Sequence, residues 1–507
     1  MPVLSRSEDP SPQSRCRFAL AHSDITPPPG IYHRMWGAAK HERATGVHRP
    51  LRATVAIFAP LAGAGRQIIL ALDHCVMGAS EHGKLVSVIA AISGVAAEET
   101  LVVFSHTHGA GLMGLERADL PGGELIPPYL DHLGETAGAL VKEALLALVP
   151  AMIVYGTGKC ALASHRDSWD GTQYVCGHNP GVAADDTLVV ARVSNESRAL
   201  LATVVNYACH PTTLAWENTL ISPDYIGAMR ELVERETGAP CLFLQGASAE
   251  LGPREGFVGD PAVADRNGRE LAYAALSTLT SLPKSGTKFA YAGPVVSGAT
   301  LGAWKHVPLS SEELATKARW SRERWHEPLP YRPGQPTIAE IEKSLASLHA
   351  EESTARAARD ETRAAECRAL AERKSRLLHR LSELPQGDHY PLQVALWQIG
   401  DAVWIGVQGE SYSLLQTELR RRFPGKTLIV ASVAADWGAS YLPPRELYNT
   451  GIYQESIAVV AAGSLEQLID SIASRLISLK TPPSKPSCAT HECGTGSLSK
   501  SSPISPD

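Results

Sequence analysis

At 507 residues the chain is longer than a single hydrophobic core usually grows, so one large domain with an insertion, or two closely packed domains, is expected. A formal net charge of −6 and an aromatic content of 6% leave no basic, aromatic-studded groove, which excludes nucleic acid as the partner and points to a small molecule. Nine cysteines, an odd number without a Cys-x-x-Cys pair, exclude a disulfide framework and a thiolate zinc site and read as reduced thiols.

The chain opens on Met1-Pro-Val-Leu-Ser-Arg-Ser-Glu-Asp-Pro-Ser-Pro, with acids and prolines where a signal peptide needs a continuous apolar stretch. No run approaches the roughly eighteen apolar residues of a membrane span. A cytoplasmic protein without a membrane span is therefore expected. Residues 1–16 are polar and rich in Pro and Ser and are expected to be a disordered tail, as are residues 481–507. The segment between, 17–480, is expected to fold.

Within it, strand-like runs (Ala53 to Phe58, Gln67 to Leu72, Leu101 to Phe104, Leu188 to Val193, Leu200 to Tyr207, Cys241 to Leu244) alternate with helical patterns such as Leu130 to Leu148 and Asp224 to Thr237. This is the rhythm of an α/β fold. One segment breaks it: Ser310 to Trp325 and then Thr337 to Leu384 are rich in Ala, Glu, Arg and Leu. Thr337 with Glu340 forms a capping box, and Ile338, Ile341, Leu345 and Leu348 recur at helical spacing. A helical hairpin or long helix inserted at about 310–384 is predicted. Its Arg/Glu content reads as a solvated face, with a lid or interaction surface as the alternative.

Four strand-like runs lead into potential metal ligands. Leu101 to Phe104 is followed by His106 and His108, Leu201 to Tyr207 by His210, Ala402 to Gln408 by Glu410, and Thr427 to Val433 by a loop carrying Tyr441. Loops beyond the carboxyl ends of strands converge on a shared crevice in α/β sheets, so these residues can meet there. Two imidazoles, a carboxylate and a phenolate suit a zinc ion that keeps one position for water. A His-x-His in extended chain puts both rings on one face. Taken singly, each piece is equally an ordinary polar strand end or turn.

The order of the pieces adds to this. Ser23-Asp24-Ile25-Thr26-Pro27, Thr45-Gly-Val-His-Arg-Pro-Leu51, Ser105-His-Thr-His108, His210-Pro-Thr212, Ser222-Pro-Asp224, Gly409-Glu410 and the pair Tyr441 and Tyr453 follow one another as in the neutral/alkaline non-lysosomal ceramidase family, which the chain resembles from Asp24 to about Leu476. The resemblance implies a mixed-sheet zinc hydrolase domain holding one Zn2+ per chain through His106, His210, Glu410 and Tyr441. It implies that His108 is an acid/base held off the metal, and that Tyr453 and Arg166, in Ser164-His-Arg-Asp167, position and polarise the substrate carbonyl.

One departure stands out, because Gly252 in Ala249-Glu-Leu-Gly-Pro253 occupies the place of the family's catalytic serine. Ser248, in Gly246-Ala-Ser-Ala-Glu250, lacks the nucleophile-elbow pattern and reads as a turn residue. A metal-activated water needs no serine. The β domain that secreted ceramidases carry behind the catalytic domain is not expected here. The expectation is a zinc-dependent hydrolase that cleaves a linear amide of a small soluble N-acyl compound. The alternatives are an esterase or carbamate hydrolase with the same site, ceramidase-like hydrolysis of N-acylsphingosine, and a catalytically inactive zinc-binding relative.

Overall fold

The computed structural model describes residues 8–479. Twelve strands form one mixed sheet: β1 (Gln13–Asp24), β2 (Arg52–Ala59), β3 (Gln67–Leu72), β4 (Thr100–Phe104), β5 (Val149–Lys159), β6 (Thr187–Asn195), β7 (Leu200–Tyr207), β8 (Cys241–Gln245), β9 (Trp320–Pro330), β10 (His389–Ile399), β11 (Ala402–Gln408) and β12 (Thr427–Ala434), in the order β8-β7-β6-β5-β1-β2-β3-β4-β12-β11-β10-β9. The pairs β3/β4, β7/β8 and β11/β12 are parallel and their neighbours antiparallel.

Period-two alternation builds two faces from each strand. Along β2, Val55 and Ile57 join the layer under α1 (Ala79–Ser93) and α2 (Ile126–Leu146), while Ala56 and Phe58 face the other way, into a core shared with Leu244, Trp404 and Ile429. That shared core shows the sheet folded on itself, with β5–β8 facing β9–β12. Helices α3 (Tyr225–Thr237) and α4 (Pro261–Ser281) cover the outer face near β7 and β8. Later in the chain come α5 (Ile338–Ala357), α6 (Glu361–Ser382), α7 (Leu414–Arg422) and α8 (Ser464–Ser478), of which α7 and α8 cover β10 to β12. Leu465, Leu468, Ile469, Ile472 and Leu476 form the buried stripe of α8, and each such side chain contributes roughly 1.5–3 kcal/mol of burial.

The fold in the sheet positions the site. β4 and β12 meet through the pair Val103↔Ala434, near the carboxyl end of each strand. Across the interior, the Asn206 amide donates to Leu244 O at 3.0 Å and Val430 O at 2.9 Å, tying β7 and β8 to β12. The carboxyl ends of β4, β7, β8, β11 and β12 are thereby drawn together.

Two expectations need correction. The tail expected over residues 1–16 is ordered from residue 8 onward, and from Gln13 it is the beginning of β1, hydrogen-bonded to β5 and β2 on its two sides. Its polar residues are buried partners. The Gln13 amide donates to Thr287 O at 2.7 Å and accepts from Gly286 N at 2.8 Å, and the Ser14 hydroxyl donates to Ile399 O. Residues 1–7 and the expected C-terminal tail lie outside the described residues.

The second correction concerns 310–325, which is a short helix, Ser311–Lys317, followed by β9. As the terminal strand of the sheet, β9 pairs with β10 alone and exposes charge, and that pattern imitates a solvated helix. Its prolines, Pro328 and Pro330, are tolerated on an edge. The helical hairpin itself is α5 and α6, and α5 starts at the expected Thr337/Glu340 capping box.

Candidate metal centre

His106 follows the end of β4 by two residues, and its backbone sits in the left-handed region at φ 66°. For a non-glycine residue this costs of order 1–3 kcal/mol, so its surroundings must impose it. The His106 amide donates to His74 O at 2.9 Å, and the ring nitrogen Nδ1 lies 2.8 Å from Cys75 O. His108 opens a 3-10 turn, His108–Ala110. The two rings are neighbours, with centroids 5.1 Å apart, but this turn brings them together and strand alternation does not.

His210 leaves β7 and approaches from the other half of the sheet. Its Nδ1 lies 3.2 Å from Ser248 O, and its Nε2 is 2.8 Å from His106 Nε2. Glu410 follows Gly409, whose φ of 80° and closeness to Ser440 O (2.8 Å from where a Cβ would stand) admit no side chain. The two-residue strand Glu410–Ser411 pairs in parallel with Tyr441–Leu442, which sets Glu410 directly opposite Tyr441. Glu410 Oε2 is 3.2 Å from His106 Nε2 and 3.6 Å from His210 Nε2.

The tautomers decide what this cluster can hold. A carbonyl only accepts, so each Nδ1 carries the proton it donates to Cys75 O or Ser248 O, and each neutral ring keeps its lone pair on Nε2. Two such lone pairs therefore face each other at 2.8 Å beside a carboxylate oxygen that is buried and receives no hydrogen bond. Three acceptors without a donor repel one another until a cation lies between them. A proton can serve: burial opposes charge on His106, but Cys75 and Glu410 carry its pKa well above the ordinary value. Burial also pushes the Glu410 carboxyl up, and His106, Tyr441 and Arg166 more than reverse this and leave it lowered. His210 is held well below the ordinary value by burial and then by Arg166. A divalent ion with nitrogen and oxygen preference fits the same donors, and their arrangement matches a site of this kind.

The remaining expected residues lie around this cluster. The Tyr441 phenol accepts from Arg166 Nη2 at 3.1 Å and also bonds the Glu410 carboxylate, and its ring stacks 6.5 Å from that of His210. Tyr453 lies 5.8 Å from the Tyr441 ring and is 42% exposed, lining a cavity of about 510 Å3 that His106, His108, Arg166, Glu410 and Tyr441 also line. The Nδ1 of His108 is buried without a partner, and burial followed by His106, Arg166 and Arg376 holds this imidazole neutral, well below its usual pKa. Arg166 is more committed than the sequence suggests. Its Nε donates to Ala249 O at 2.9 Å, and its Nη2 is shared between Ala249 O and Tyr441, so it orients Tyr441.

At Gly252 an added Cβ would meet Thr212 Oγ1 at 3.6 Å and Arg166 Cδ at 3.8 Å, ordinary contact distances, so a side chain has room there. Ser248 turns its carbonyl toward His210, and its hydroxyl accepts from the Gln245 amide at 2.7 Å. No base faces that hydroxyl among the hydrogen bonds it makes.

Sequence reasoning missed one wall of the cavity. Glu372, Arg376 and Arg380, spaced by four along α6, look inward in place of a solvated stripe. Glu372 bridges Arg117 at 3.0 Å and Arg376 at 2.8 Å, and Arg376 also donates to Met35 O. The i, i+4 spacing was visible, but nothing in it says which side faces protein.

No protein-family model and no curated protein matches the chain. Among solved structures it is similar to a neutral ceramidase from Pseudomonas aeruginosa, with a TM-score of 0.62 at 17% identity over 93% of this chain and 75% of that one. It is also similar to a ceramidase complexed with C2, with a TM-score of 0.61 at 16% identity over 93% and 76%. At this identity the likeness establishes the fold, a mixed α/β sheet of the neutral ceramidase type. No helix among the described residues is long and apolar enough to cross a membrane.

Proposed function

We propose that the protein is a zinc-dependent hydrolase that cleaves a linear amide bond of a small N-acyl compound, with water as the nucleophile. The observation that carries this reading is the trio of acceptors His106 Nε2, His210 Nε2 and Glu410 Oε2, fixed by backbone carbonyls and by pairing with Tyr441. A zinc ion held there, with Tyr441 as the fourth ligand, would supply the Lewis acidity that ionises water near neutral pH. His108 is neutral and its Nδ1 is free, so it can take a proton from the attacking water and return it to the departing amine. Tyr453 presents its phenol to the cavity and can donate to the carbonyl oxygen as charge develops, while Arg166 keeps Tyr441 in place. Ser248 has no part in this scheme.

The test is metal analysis of the purified chain together with turnover on a panel of N-acyl amides and esters, before and after chelation. About one zinc per chain and amide hydrolysis that chelation stops and zinc restores are expected. Metal at background level, or undiminished hydrolysis in chelated protein, would overturn the proposal.

A further inference from the structure

Arg380 stands near the end of α6 with its side chain 7% exposed, yet its Nε and Nη1 are buried without a hydrogen-bond partner. No carboxylate lies within ion-pairing distance among the described residues, and its guanidinium rests 5.5 Å from the centre of the Trp437 ring. A buried cation in this state is costly, because water has been removed and only a ring face has replaced it. The neighbouring arginines differ. Arg376 is bonded to Glu372 and Met35 O, Arg166 to Ala249 O and Tyr441, and Arg373 to Ser456.

All four arginines line the cavity beside His106 and Glu410, against two carboxylates, Glu372 and Glu410. Glu372 is also shared with Arg117 on its far side. The walls thus carry two more positive charges than negative ones, and a divalent ion at the histidines would raise the excess. A neutral two-chain lipid offers nothing to balance it. The walls also carry apolar side chains, of which Trp36, Val76, Leu112 and Phe257 are suited to an acyl chain.

We propose that the amine half of the substrate carries a carboxylate seated on Arg380, so that the substrate class is N-acyl amino acids and similar carboxylated amides. This rests on the amide-hydrolase reading of the same site and names its substrate. Arg380 lines the same cavity as His106, Glu410 and Tyr453, so an anion seated on it shares that cavity with the carbonyl under attack, as a carboxylate on the carbon next to the amide nitrogen would. The reaction balances as hydrolysis: the carbonyl C–N bond breaks, a C–O bond forms from water, and the proton passes through His108 to the leaving amino group. The acyl part leaves as a carboxylate and the amine part as an amino acid.

Equilibrium binding by full-length, chelator-treated protein separates this proposal from the hydrolase reading, because no turnover is needed. The probes are N-octanoylglycine, its uncharged analogue N-octanoylglycinamide, and N-octanoylethanolamine phosphate. The acid is expected to bind at least roughly 10-fold tighter than the glycinamide, and Arg380→Met, which keeps the stem packed on Trp437, is expected to weaken the acid by roughly 10- to 100-fold and bring the two probes together. Arg380→Lys should keep part of the preference, and circular dichroism checks that both variants fold. Equal binding of acid and glycinamide by the parent, or equal weakening of both by Arg380→Met, would overturn the proposal. Tighter binding of the phosphate than of the acid would overturn the assignment to a carboxylate. Acid-selective binding without turnover of the acid by zinc-loaded protein would leave the anion seat standing and sink the hydrolase reading.

Discussion

Two buried ionic clusters grow from the same stretch of chain just past β3, and they are built on opposite principles. Asp73 accepts from Arg230 Nη2 at 3.0 and 2.8 Å through its two oxygens and from Arg52 N at 2.9 Å, with both side chains in the pair almost fully enclosed. Every charge there has its counterpart. Two residues later Cys75 O fixes the tautomer of His106, which faces His210 and Glu410 as one of three acceptors with no donor among them. The first cluster is complete without a ligand and holds α3 to the sheet, whereas the second is complete only with a cation. Burial and charge are alike in the two. What separates structure from function is whether the hydrogen-bond count closes.

The comparison breaks most directly at Glu410. Glu410→Gln keeps the shape but removes the charge that balances a dication, so turnover is expected to fall by roughly 10³-fold or more, with zinc content reduced in parallel. Stability of the metal-free protein should fall only modestly, since the attraction of His106 and Tyr441 for the carboxylate is weakened but its Oε2 receives no hydrogen bond to lose. A large loss of stability in the metal-free variant would place Glu410 in the structural class. His108→Ala tests the next layer. It should retain zinc and lose roughly 10²–10⁴-fold in turnover, the range of a general acid–base group. Loss of zinc with little further loss of rate would make His108 a ligand.

In the complete cluster the expected effects lie in stability. Asp73→Asn leaves Arg230 buried beside an amide and should cost about 3–5 kcal/mol in denaturant unfolding, with zinc content unchanged. Glu250 is intermediate, because its carboxylate accepts from Ser413 N at 2.9 and 3.0 Å and from the Ser413 hydroxyl but meets no cation. Burial raises its pKa to about 7, Ser413 lowers it in part, and nearby Asp167 adds to the rise. The folded state therefore keeps a proton that the unfolded chain has released above its own carboxyl pKa near 4.5. Stability from this group is lost as pH rises from about 4.5 to 7 and is constant beyond. Glu250→Gln should flatten that slope by about 1–3 kcal/mol between pH 5 and pH 7.5, measured by unfolding at both values. An unchanged slope would show that Glu250 titrates normally.

Much of this organisation was legible in the sequence because strands advertise themselves twice, by apolar alternation and by the polar residue that ends them. His106, His210, Glu410 and Tyr441 each follow such an end, and the sheet brings all four together. What stayed hidden depends on contacts across the chain. Gln13 and Ser14 look like tail until the partners at Thr287 and Ile399 are known. β9 looks helical because an edge strand exposes its charges, and Arg380 looks solvated because spacing by four does not say which face is covered. The reason for the proximity of His106 and His108 also lay in a turn, where strand alternation had been expected.

Ser248 should give the smallest effect and bears on the nucleophile. It lies beside the acceptor cluster, but it contributes its carbonyl, 3.2 Å from His210 Nδ1, and that contact belongs to the backbone and survives substitution. Its hydroxyl accepts from the Gln245 amide, which also donates to Cys209 O at 2.8 Å and so keeps one partner when the hydroxyl is removed. Ser248→Ala should therefore cost only about 0.5–1.5 kcal/mol of stability and leave turnover within a few-fold of the parent. With Gly252 carrying no side chain, that position offers no hydroxyl to accept an acyl group, and mass spectrometry of protein quenched during turnover should find no acyl group on Ser248. An acyl adduct on Ser248, or a collapse of turnover in Ser248→Ala with zinc still bound, would replace water by a serine nucleophile. It would also move Ser248 from the closed class of buried polar groups to the open one.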